Sequence, residues 1–222
     1  MDYVFDFGVV AEHSQELLLG CLKTLQLSGL SIVLALLLSL LLSLGLRSRF
    51  TALHWLIVAF IEVVRNTPFL VQIFVLFFGL PVLGIRMSPT VAAVVALTLN
   101  GAAYVTEIIR GGLESIAKGQ SEAGLALGLR PLQVFRFVIL KPALRAIYPS
   151  LVSQFIFLML TSSIVSSISA DELTHVAAVL EGRTFRSFEI YFVVAGLYLL
   201  LSALLSAVFA LIHRLFLSYP TR

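Results

Sequence analysis

Glu62 and Arg65 stand three residues apart inside an apolar run, and Glu107 and Arg110 repeat that spacing at the end of another. Three apart is one face of a helical turn, so each pair is placed to close a salt bridge. A charge within a membrane span is costly and usually faces a protein interior or a cavity. Arg65 therefore reads in two ways: as a polar-path residue, or as an arginine paired with Glu62 that snorkels to the interface. Uncharged polar side chains recur in the same apolar setting at Gln72, Asn100, Ser163, Ser166 and Ser167. They suit a path for a small polar solute. Small hydroxyls in spans also serve as helix-packing contacts or bond to the carbonyl four residues back. Asp171 and Glu172 follow the fourth apolar run, where a carboxylate meets either an ammonium group or water. Hydrolytic and metal chemistry find no support. His54, His175 and His213 are scattered, the H-E-x-x-H and paired-carboxylate spacings are absent, and Cys21 is the one cysteine. The run G-x-x-x-x-G-K followed by Ser or Thr is also missing, so ATP hydrolysis would need a separate protein.

These groups sit in a chain of 222 residues that is 59% hydrophobic and 12% charged, with a mean hydropathy of +1.04. Soluble domains carry about a quarter charged residues, so lipid is the solvent for this one. The length suits one domain, or two at most. A net charge of +3 bears on topology rather than on nucleic acid. Asp2, Asp6, Glu12 and Glu16 stand where a signal peptide would be basic, so the first apolar run reads as a span and not as a cleaved leader.

A spanning helix needs about 20 mostly apolar residues. Windows free of Asp, Glu, Lys and Arg occur at 24–46, 66–85, 87–106, 146–170 and 190–213. Because Pro81 and Gly84 lie late in the second window, that span is expected to start near Trp55 and to kink at Pro68. The expected spans are then about 22–46, 55–80, 88–109, 143–168 and 190–213, with a loop at about 111–142. With the N-terminus outside, the inner segments hold Arg47, Arg49, Arg110, Lys118, Arg130, Arg136, Lys141, Arg145, Arg214 and Arg222. The outer ones hold Lys23, Arg86, Arg183 and Arg186. Basic residues favour the inner side, so the N-terminus is expected outside and the C-terminus in the cytoplasm. Continuous leucine-rich runs argue against a barrel, whose strands alternate apolar and polar.

Residues 119–150 are too charged to span and too apolar for a free loop. Gln120 to Leu127 favours a short helix, Gly128 suits its C′ position, and Pro131 suits the first turn of a second helix. The expected product is a helix–turn–helix with leucines on one side and Glu122 near its start. As a helix-start acid, Glu122 is stabilised by the dipole alone. The stretch E-A-G-x-x-x-G at 122–128, with Ile139, Leu140 and Pro142 after it, resembles the EAA loop of ABC importer permeases. The stretches EVVRNTPFLVQIFVLFFGLP, LNGAAYVTEIIRGGLESIAKGQSEA and SSIVSSISADELT narrow the resemblance to permeases of the polar amino acid importer family, over about residues 20–215. The sequence departs from that family's usual pattern at Gly124 (alanine), Lys141 (leucine), Leu160 and Thr161 (a Lys-Asp or Lys-Ser pair), and Ser169 and Asp171 (glycine and proline).

The resemblance implies an all-α, five-span type I importer permease with a cytoplasmic coupling helix between spans 3 and 4. Glu122, Ala123, Gly124 and Gly128 are the implied ATPase-coupling residues. Glu172, in the E-L-T motif, joins Gln72, Asn100, Ser163 and Ser166 on the implied substrate pathway. Glu62, Arg65 and Pro68 are structural or gating residues. The implied partners are a cytoplasmic ABC ATPase dimer, a second permease (the same chain or a sister), a periplasmic or surface solute-binding protein, an amino-acid substrate and the lipid bilayer, with no nucleic acid. The chain is expected to bind no cofactor, ATP and magnesium being used by the ATPase, and to lie as a multi-pass protein in the bacterial inner membrane. The rival reading is a secondary, ion-coupled transporter. Such folds are built from internal repeats, and no repeat is visible here. A membrane-embedded hydrolase lacks its catalytic constellation, and a scaffold subunit would leave the polar span residues idle.

Overall fold

The computed structural model describes residues 4–217; Asp2 and Arg222, used above, lie outside them. Every regular element among the described residues is helical. After a single turn, α1 (Gly8–Glu12), the chain forms α2 (Ser14–Gly45), α3 (Thr51–Arg65), α4 (Phe69–Phe74), α5 (Pro89–Glu114) and α6 (Lys118–Ala126). Three more follow: α7 (Pro131–Ile168), α8 (Leu173–Thr184) and α9 (Ser187–Leu215). Helices α2, α5, α7 and α9 are each long and apolar enough to cross a membrane. The segment Thr51–Arg65 together with Phe69–Leu83 makes a fifth candidate, bent by 111°.

The packing follows from lipid being the solvent. On α2 most of the buried positions are small, among them Thr24, Ser28, Ser31, Ala35 and Ser39, whereas Leu37, Leu40, Leu41 and Leu44 are exposed. On α5 the buried face is dominated by Ala92, Ala93, Ala96, Gly101, Ala102 and Ala103, with Leu97 and Val105 among them. With leucine as comfortable in lipid as in protein, close backbone approach decides which face turns inward, and small residues permit it. A Cβ on Gly101 would stand 3.0 Å from the Ala35 Cβ and would press on Leu158, so α2, α5 and α7 meet there. Two of the buried hydroxyls bond within their own helix: Ser28 donates to the Thr24 carbonyl at 2.7 Å and Thr106 to the Ala102 carbonyl at 2.7 Å.

At 32 residues α2 is about 48 Å long, well beyond the ~30 Å of hydrocarbon. Its surplus reaches α8 and α9, where Leu17 and Cys21 are buried with Leu173, Ala177, Leu180 and Ile190. The last turns of α7 tighten into a 3-10 helix, Ser162–Ile168, which stops at Ser169 with φ +59°. That is the left-handed region glycine occupies most easily, which accounts for the glycine usual at this place in the resembling permeases.

Candidate functional site

The central segment folds as two helices back to back. Helix α6 ends in a Schellman turn: Gly128 N–H donates to the Leu125 carbonyl at 2.9 Å and Leu129 N–H to the Gly124 carbonyl at 3.2 Å. Gly128 has φ +80° and open space around the place of a Cβ, so conformation alone requires glycine there. Pro131 opens α7, where Arg130 N–H donates to Gln133 Oε1 at 2.8 Å. Gly124 is the contact between the two arms, since a Cβ on it would stand 3.1 Å from Val134 Cγ2. The apolar side is left uncovered, with Leu125, Leu127 and Leu132 at 49%, 82% and 76% exposure.

Glu122 and Ala123 are exposed on this knob. The expectation that Glu122 lies at the helix start needs correcting. Helix α6 begins at Lys118, so Glu122 is past the first turn, where the dipole's effect has faded. It forms no ion pair among the described residues. An exposed acid with no local partner is free to meet one on another protein.

The second polar site is the break in the α3–α4 span. A proline kink was expected; the bend is far sharper because side chains take over the interrupted backbone bonds. Asn66 Nδ2 donates to the Glu62 carbonyl at 2.8 Å, and Thr67 Oγ1 to the Val63 carbonyl at 2.8 Å. Gln72 Nε2 donates to the carbonyls of Val64 at 2.7 Å and Thr67 at 3.0 Å. Unpaired carbonyls are not tolerated in lipid, so this satisfaction is what allows the break. Asn100 Nδ2 of α5 then donates to Gln72 Oε1 at 3.0 Å and ties the break to the core. Gln72 and Asn100 are thus brought together, with Pro68 opening α4.

The anticipated Glu62–Arg65 pair does not form. Glu62 Oε2 accepts from Asn66 Nδ2 at 2.9 Å, and Arg65 Nη1 reaches across to Glu107 Oε2 at 3.2 Å. The Arg65 guanidinium also lies over the Tyr104 ring, 5.7 Å from its centroid. Glu107 does pair with Arg110, through Nη2 at 2.7 Å, and Arg110 Nη1 continues to Glu114 at 3.0 Å. The result is a ladder, Arg65–Glu107–Arg110–Glu114, two cations and two anions, which sequence spacing shows only in its second half.

The serines of the 3-10 segment bond to their own backbone. Ser163 Oγ donates to the Leu160 carbonyl at 2.8 Å, Ser166 to that of Ser163 at 2.7 Å and Ser167 to that of Ile164 at 2.7 Å. Glu172 is wholly buried in this chain. It caps α8, accepting from His175 N–H at 2.7 Å and from the Tyr198 hydroxyl of α9. Burial pushes its carboxyl above the usual carboxylate range, against the pull of the Tyr198 hydroxyl and the backbone donors. The exposed neighbour Asp171 pairs with Lys23 at 2.9 Å. Sequence reasoning missed Tyr198 and Thr24, whose hydroxyl accepts from Leu173 N–H at 3.0 Å; no spacing along the chain links these to Glu172.

The sequence model of the family described as "Binding-protein-dependent transport system inner membrane component" matches residues 28–217. The chain belongs to this family. The permease is 38% identical over 184 residues to the "Probable glutamine ABC transporter permease protein GlnP" of Bacillus subtilis (strain 168), covering 83% of this chain and 84% of that one. It is 41% identical over 157 residues to the "Glutamine transport system permease protein GlnP" of Escherichia coli (strain K12), covering 70% and 72%. Among solved structures it resembles "Crystal structure of an amino acid ABC transporter with histidines", with a TM-score of 0.89 and 32% identity over 96% of this chain and 99% of that one. The resemblance read from the motifs therefore holds. Permeases of this family do not hydrolyse ATP, which is the work of separate subunits. Membership implies an ATPase, a solute-binding protein and a second permease as the permease's partners.

Proposed function

We propose that this permease imports a polar amino acid, with glutamine the first candidate, across the bacterial inner membrane. The observation that carries the reading is its 41% identity to a glutamine transport permease. The test is uptake of labelled glutamine in cells carrying the chain with its ATPase and binding protein, challenged by unlabelled competitors. Polar amino acids are expected to compete and leucine to be without effect. Equal competition by leucine, or none by any polar amino acid, overturns the substrate class.

The N-terminus lies outside and the C-terminus inside, which puts the α6–α7 knob in the cytoplasm with most of the basic residues. Spans at about 22–46, 55–80, 88–109, 143–168 and 190–213 form one domain. A reporter fused before Asp2 is expected outside and one after Arg222 inside; both on one side contradicts this orientation. The knob docks on the ATPase dimer through Glu122 and Ala123, with Gly124 and Gly128 holding its shape. ATP and magnesium are held by that ATPase, whose closure pulls on the knob and rocks the permease pair between inward and outward access. Glu62, Arg65 and Pro68 set the break, and Gln72 and Asn100 fasten it. Ser163 and Ser166, half-buried with their hydroxyl protons already committed, offer oxygen acceptors to a passing ammonium or amide.

A further inference from the structure

The ends of α2, α3 and α5 enclose a cleft of about 510 Å³, lined by Ser43, Arg47, His54 and Glu62 and by the Glu107–Arg110–Glu114 face of the ladder. That volume is in the range of small-molecule sites. Within the ladder the charges cancel. Arg110 spends Nε and Nη2 on Glu107 and Nη1 on Glu114, and Arg65 takes the other contact on Glu107.

Two charges remain. Arg47 forms no ion pair among the described residues, and Glu62 accepts only from the neutral amide of Asn66. Two neutral groups are uncommitted as well. Ser43 Oγ is buried without a partner. His54 holds Nδ1 at 2.9 Å from the Leu46 carbonyl, which makes Nδ1 the donor and, in the neutral ring, leaves Nε2 as an acceptor.

A simple anion would satisfy Arg47 and leave Glu62 facing it; a simple cation would do the reverse. One uncommitted cation and one uncommitted anion lining the same cleft match a ligand that carries both charges. We propose that this cleft binds a small zwitterion, an ammonium joined to a carboxylate or phosphate, drawn from free amino acids or from an aminophospholipid headgroup. The anionic end meets Arg47 and Ser43 Oγ, and the ammonium meets Glu62 and His54 Nε2. Occupancy ties the end of α2 to α3 beside the last turn of α5, which ends at Glu114, just ahead of the knob helix that starts at Lys118. This site is separate from the polar residues assigned to the path, and the inference does not depend on what the permease transports.

Trp55, the one tryptophan of the chain, packs edge-on against His54 with ring centroids 5.8 Å apart, so it reports locally on the cleft. The experiment uses the assembled transporter in phosphatidylglycerol nanodiscs free of amino-lipid. The fluorescence component that disappears in Trp55→Phe is followed while glutamine or O-phosphoethanolamine is titrated. A saturable change is expected with at least one of them. Arg47→Gln and Glu62→Gln should each weaken it by about tenfold or more, the scale of one charge-assisted contact. Butyrate and ethylammonium, with one charge each, should be weaker by a similar factor. Arg47→Lys, which keeps the charge, should bind within a few-fold of the parent and guards against misfolding as the cause. A response to glutamine identifies free amino acid as the source, and a response to O-phosphoethanolamine alone identifies the headgroup. No Trp55-dependent response to either, or responses unchanged in both charge-removing variants, overturns the site. Because the readout is binding, it stands or falls separately from the uptake assay of substrate class.

Discussion

Gly128→Val and Glu122→Lys are each expected to reduce ATP-dependent uptake by about a hundredfold or more while the chain still inserts and folds. Gly128 sits at φ +80°, and a residue with a Cβ pays roughly 1–2 kcal/mol there, a β-branched one the most. The cheaper response is to undo the Schellman turn, and then α6 no longer lies against the start of α7. Glu122→Lys leaves the turn intact and reverses the one feature of the exposed face best able to recognise a partner. A third change, Gly124→Leu, acts from inside, because a Cβ there would stand 3.1 Å from Val134 Cγ2 and a larger side chain pries the arms apart. All three lie in the knob and away from the span core, so membrane insertion is unaffected. Co-purification of the ATPase and transport in vesicles are measured together, since the variants either shed the ATPase or uncouple its hydrolysis. Full ATPase binding with full uptake in both Gly128→Val and Glu122→Lys makes the knob an ordinary interfacial loop.

Glu172→Ala is expected to destabilise the permease by about 3 kcal/mol. Loss of a helix cap costs roughly 0.5–2 kcal/mol, and a buried hydroxyl left without its partner costs about 1–3 kcal/mol. Here the cap is lost outright and the second cost applies in part, since Glu172 caps α8 and takes the Tyr198 hydroxyl, which also meets Thr174 Oγ1 at 2.9 Å. Glu172→Gln keeps an acceptor oxygen and should fall between. Thermal unfolding of the purified permease, followed by size-exclusion of heated samples, reads the difference. If Glu172→Ala unfolds at the parent's temperature and only the uptake affinity falls, the side chain meets substrate and the capping role is wrong.

Gly128 and Glu172 also mark where sequence is informative. A helical, lipid-solvated protein was legible from composition and from the length of the apolar runs. So was the turn of the knob, because Gly128 and Pro131 act through their own backbones and need no distant partner. The E-L-T motif drew attention to Glu172, but its environment is made by Tyr198 of α9 and by α2, both far along the chain. Arg65 is a similar case. Helical spacing favours Glu62, yet the nearer carboxylate in space is Glu107, on another helix. Pro68 announced a kink, and the 111° bend depends on which carbonyls Asn66, Thr67 and Gln72 reach, a three-dimensional matter. The serine hydroxyls bond three residues back and not four, because Ser162–Ile168 is wound as a 3-10 helix, which periodicity does not show.

On the proposed function, energy for transport comes from ATP hydrolysed by a partner and enters through the knob that α6 and the start of α7 form. Proteoliposomes containing the permease pair, its ATPase and its binding protein test it directly by uptake of labelled glutamine, with ATP supplied only on the ATPase side. Uptake that needs ATP and magnesium, ignores proton and sodium gradients, and disappears with Gly128→Val is the predicted result. Uptake that persists without ATP and collapses when an ion gradient is dissipated would contradict it, and would make this chain a secondary transporter.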